Sequence, residues 1–172
     1  MSKFLWVSGQ LAAVQRFINV PMRWCEQYPA RERRELWVTT ADGQDIKLIV
    51  HSRLMPTRRG HLVLGVLHGG QLVGLRNLTT GEQVNFVRSD PPLLWRRCDG
   101  VGLALLVAAS LMAWGAGWTL AGAVATLLAL LHAPALMVGR WIRRRLLAGG
   151  VDRAIDSAQR QATVHHCLRR VK

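Results

Sequence analysis

Residues 100–139 read GVGLALLVAASLMAWGAGWTLAGAVATLLALLHAPALMVG, and none of these 40 residues is Asp, Glu, Lys or Arg. The run is about twice the ~20 residues that cross a bilayer, and too long for one core helix of a small domain. It therefore predicts a transmembrane helical hairpin over 100–139. The break falls at Trp114-Gly115-Ala116-Gly117-Trp118, where two glycines loosen the helix and permit a tight turn. Span one is expected at about 100–114 and span two at about 118–139. Span one is short, so its helix should start a few residues earlier or thin the bilayer locally.

The flanks support this division. Trp114 and Trp118 bracket the turn, while Trp95 and Trp141 stand at the outer ends. Amphipathic indole rings settle at membrane interfaces, so these four are the expected interface anchors. Arg96 and Arg97 precede the run, and Arg140, Arg143, Arg144 and Arg145 follow it, whereas the turn carries no charge. By the positive-inside rule both flanks, and both termini, belong in the cytoplasm. These arginines also suit anionic lipid. The expected localisation is integral membrane, in a bacterial inner membrane.

Within span two, Gly117, Ala121, Ala125, Ala129 and Ala133 recur every four residues, and span one has Gly100, Ala104 and Ala108. Small residues at this spacing let helix backbones approach closely in lipid, so the longer row is the expected helix-packing face. Its partner is the other span, a neighbouring membrane protein or a second copy. His132 is the one readily ionisable residue in the run, which makes it a candidate intramembrane polar site. Its ordinary role would be to bond a backbone carbonyl freed by Pro134.

Upstream, residues 1–92 read as a small, mostly β cytosolic domain. Ala41-Asp42-Gly43-Gln44-Asp45 separates two β-rich runs, and His68-Gly69-Gly70-Gln71 separates two more. Asp-Gly and Gly-Gly are hairpin signals. A strand opening near Phe4 is expected to reach Phe17 past a bend, and another covers Val84 to Val87. Five or six short strands, with Gly65 and Gly74 marking bulges or bends, predict a small barrel, OB-like or SH3-like. The long connection from Asn19 to Arg34, with Pro21 and Pro29, is the expected partner-contacting segment outside the membrane. Asp90-Pro91-Pro92 closes the domain, and a short juxtamembrane linker, 93–99, holds it close to the lipid.

The basic tail, 140–172, breaks at Gly149-Gly150. Val151, Ala154, Ile155, Ala158 and Ala162 then recur at helical spacing, giving a short helix on the membrane or a partner, or a disordered end.

The chain has 172 residues, with 23 Lys+Arg against 10 Asp+Glu and a net charge of +13. Beyond the hairpin there is room for one small domain, which excludes a large enzyme or a many-helix transporter. Three widely spaced cysteines, Cys25, Cys98 and Cys167, read as reduced thiols instead of a disulfide framework or zinc pair. His165-His166-Cys167 has metal-ligand types, but adjacent residues do not converge on one ion. His51, His61 and His68 fall in or beside strands as ordinary polar positions. No acid pair, phosphate loop or dinucleotide motif is present, so neither catalysis nor a cofactor is expected. The chain is expected to be a non-catalytic membrane accessory or assembly protein. Its barrel would serve as a protein-interaction module, with the hairpin packed into a membrane complex. The alternatives are a homo-oligomeric channel or membrane-perturbing effector, and a membrane-tethered nucleic-acid or nucleotide sensor using the arginine surplus.

Overall fold

The structure is a computed structural model that describes residues 4–21 and 32–169, with side chains through residue 162. Cys25, Pro29 and most of the Asn19-to-Arg34 connection fall outside the described residues, as do the side chains of His165, His166 and Cys167. The elements in order are β1 (Leu5–Phe17), β2 (Arg33–Thr40), β3 (Asp45–Val50), β4 (Leu62–His68), β5 (Gln71–Asn77), β6 (Gln83–Asn85), α1 (Phe86–Ser89), α2 (Arg97–Gly115) and α3 (Thr119–Arg169). They form two compact units. One joins the β-strands with the chain from Arg144 onward, and the other centres on Pro92–Arg143.

The β unit is one antiparallel sheet of order β3-β2-β1-β4-β5-β6. The long β1 serves two neighbours: residues 5–10 pair with β4 and residues 9–17 with β2, with a bulge between Leu11 and Ala13. Alternation along the strands sends Leu11, Leu36, Val38, Leu48, Val50, Val63, Leu72 and Leu75 into one core. The two turns expected from sequence are present, and Gly69 and Gly70 have φ of 57° and 78°, values that a side chain would oppose.

Three expectations need correction. The hydrogen-bonded ladder does not close into a barrel: β3 and β6 are its two edges. The last predicted strand stops at Asn85, because the Asn85 side chain accepts from Arg88 N at 3.3 Å and caps the short helix α1. The tail is neither a separate short helix nor a disordered end. α3 is helical through Pro134 and Gly149-Gly150 as far as Arg169. Val151, Ile155 and Ala158 are buried against Leu64, Val66 and Val73, on the sheet face opposite the first core. That face is apolar and needs cover, and an alanine-rich helix can lie close on it.

Gly74 explains the close approach. A Cβ placed there would stand 2.8 Å from both Ile155 Cδ1 and Val151 Cγ1. Gly74 also adjoins the expected irregularity: Val66 pairs with Gly74 and Leu67 with Leu72, so Val73, next to Gly74, is the extra residue of a bulge. At its start the docked segment is held by polar bonds. Asn85 Nδ2 donates to Ala148 O (2.9 Å) and Asp152 Oδ1 (2.7 Å), and Arg88 donates to Asp152 Oδ2 (2.6 Å). Arg144 donates to the carbonyls of Val87 and Arg88.

Candidate functional site: the polar seam of the helical hairpin

Helices α2 and α3 are both long and apolar enough to cross a membrane. Only 11% of the most apolar window of α2, and 6% of that in α3, is buried within the chain. Between them, α2 ends at Gly115, and Gly117 takes a φ of 76° that reverses the chain.

Facing each other along the hairpin are mostly small and polar residues. At its base Asp99, the only acid in the first turn of α2, meets Arg140 of α3. Arg140 Nη2 donates to Asp99 Oδ1 at 2.7 Å, and Nη1 donates to Asp99 Oδ2 and to Leu94 O. Asp99 Oδ2 also accepts from the Arg96 backbone N–H at 2.7 Å, capping α2. The Asp99 side chain is 8% exposed and that of Arg140 21%, so both partners are shielded from water.

Further along, a Cβ at Gly102 would sit 3.1 Å from His132 Nε2, so the imidazole occupies the space that glycine leaves. Its Nε2 is buried and makes no hydrogen bond among the described residues. Ser110 Oγ lies 2.6 Å from Thr126 Oγ1, which donates to Gly122 O in its own helix. Trp114 Nε1 donates to Thr126 Oγ1 at 3.2 Å, and its ring lies over Gly122. These contacts run in antiparallel order from base to turn.

Several residues singled out from sequence take other places. Ala125, Ala129 and Ala133 are half-buried, whereas Gly117 and Ala121 are exposed, as are Ala104 and Ala108. Gly122 is buried beside them, and a Cβ there would stand 2.9 Å from the Trp114 ring. Trp114, Trp118 and Trp141 are exposed, and Trp95 is half-buried. Arg97, Arg143 and Arg145 are exposed, Arg96 is half-buried, and Arg140 and Arg144 are engaged as described.

Sequence reasoning missed Asp99, Ser110 and Thr126. One signal was present: Asp99 and Arg140 are the two charged residues that bound the uncharged run. Among the described residues no group of three His, Cys, Asp or Glu could hold a metal ion. Cys98 is a half-buried free thiol. No protein-family model, curated protein or solved structure matches the chain.

Proposed function

We propose that the chain is a non-catalytic integral membrane accessory or assembly protein. In this reading α2 and α3 cross a bacterial inner membrane as a hairpin, and the β domain works in the cytoplasm as an OB-like protein-interaction module. The observation that carries it is how little of the most apolar stretch of each helix is buried within the chain. So much apolar surface is stable only in lipid or against another protein. The seam supports it further, because hydroxyl, indole and charged groups along it find partners within the hairpin. For the β domain, support comes from a long, bulged β1 that pairs with both β2 and β4, an arrangement suited to a partly open barrel.

The expected partner is another membrane protein or a second copy. Purification of the full chain from its native membrane in mild detergent, with mass analysis, tests this. A complex with a second membrane protein, or a defined homo-oligomer, is predicted. A lone monomer after gentle extraction contradicts it.

A further inference from the structure

Arg16 and Arg34 stand directly opposite each other across the β1–β2 ladder. Both continue the inward row of their strands, Arg34 after Leu36 and Val38, so they sit where the core face of the sheet ends. Like charges in directly opposed positions repel. Arg53, in the connection after β3, brings a third guanidinium, and Arg34 Nη2 donates to the Arg53 carbonyl at 2.6 Å.

Among the described residues, one carboxylate forms ion pairs with all three. Glu32 accepts from Arg16 through both oxygens, at 3.0 and 3.2 Å, but lies 3.9 Å from Arg34 and 3.8 Å from Arg53. Only Arg16 is therefore gripped. Arg34 is 14% exposed, and its Nε is buried with no hydrogen-bond partner among the described residues. Asp90 also reaches Arg34 electrostatically, but its carboxylate accepts from Ser52. Burial, and then the neighbouring charge of Arg16, pulls the Arg34 guanidinium below its ordinary value, as expected where positive charge is in surplus.

We propose that Arg16, Arg34 and Arg53 form a binding site for a phosphate group. A carboxylate presents two oxygens in a plane and satisfies one guanidinium fork. A phosphate presents three or four oxygens in a tetrahedron and can engage three forks that approach from different strands. Arg16 and Arg53, 52% and 76% exposed, are open to an incoming ligand. Glu32 is then the resident competitor that the phosphate displaces. The phosphate belongs either to a small soluble phosphate compound or to a lipid headgroup.

The test is calorimetric titration of the full chain in neutral detergent, with inorganic pyrophosphate in one arm and short-chain phosphatidylglycerol in the other. Binding in the first arm identifies a soluble ligand, and binding in the second alone identifies a headgroup; either supports the site. Arg16→Gln and Arg53→Gln should each weaken binding about tenfold, the loss of roughly one charge-assisted contact. Glu32→Gln should tighten it, an effect that a purely structural Glu32 would not produce. Arg58→Gln, an exposed arginine elsewhere in the β domain, should leave affinity unchanged. No binding in either arm overturns the proposal, as does binding that is indifferent to all three cluster variants.

Discussion

Arg140 holds Asp99 through both carboxylate oxygens, and these two residues are the charges that bound the uncharged run in the sequence. They are 41 positions apart, yet they meet at the base of the hairpin. Their charges cancel at the two ends of the uncharged run, so neither is left as a bare shielded ion.

The first prediction concerns this pair. Arg140→Gln leaves a shielded carboxylate without its cation, and Asp99→Asn leaves the reverse. Each should destabilise the hairpin by roughly 2–4 kcal/mol, read as a shift in detergent-titrated unfolding. The double variant should lose less than the two singles combined, because it strands neither charge. Additive losses would show that the two groups do not interact.

The docking of α3 on the sheet makes a second prediction. Ile155 is fully buried over Gly74. Ile155→Ala should cost about 2–5 kcal/mol, seen as a lower thermal midpoint of the β unit. Gly74→Val should force Ile155 and Val151 off the sheet and open the end of α3 to proteolysis before the rest of the chain. An unchanged cleavage pattern in Gly74→Val would contradict the close packing of α3 on the sheet.

How far the sequence could be read follows from the range of the interactions involved. The apolar run, the Gly-Trp turn and the Asp-Gly and Gly-Gly hairpins are local signals, and all of them appear in the structure. Gly149-Gly150 misled because a glycine pair is a helix breaker only when nothing packs beside it. Here a Cβ at Gly150 would stand 3.1 Å from the Phe4 ring, and neighbours on the sheet hold the helix intact. Of the small-residue row, Ala125, Ala129 and Ala133 are half-buried and Gly117 and Ala121 exposed, while Gly122 and Thr126 beside it carry contacts to α2. Those contacts, Thr126 and Gly122 meeting Ser110 and Trp114, depend on the partner helix and so could not be read from one segment. The arginine cluster was equally hidden, since Arg16, Arg34 and Arg53 converge only once β1, β2 and the connection after β3 are assembled.

Glu32 predicts a pH dependence. The hydrogen bond from Arg16 holds its carboxyl below the ordinary 4.5, with burial acting in the opposite direction and Arg53 and Arg34 adding to the lowering. A carboxyl whose folded-state value is lowered contributes its stability above the unfolded value, and loses it as pH falls through the folded one. The thermal midpoint should therefore fall as the solution is acidified below about 4.5. In Glu32→Gln that acid limb should be shallower, with the midpoint at neutral pH also lower. An unchanged acid limb in the variant would remove Glu32 as a contributor.

The central claim is that α2 and α3 cross the membrane as a hairpin, with the β domain on the cytoplasmic side and the Gly117 turn on the other. It is tested most directly with single cysteines in a background where Cys25, Cys98 and Cys167 are serine. Ala116→Cys lies in the turn and Asp42→Cys in the β2–β3 turn, and both positions are exposed. A membrane-impermeant maleimide applied to intact cells should label Ala116→Cys, and should label Asp42→Cys only after lysis. Labelling of Asp42→Cys in intact cells, or protection of Ala116→Cys until lysis, would contradict the account.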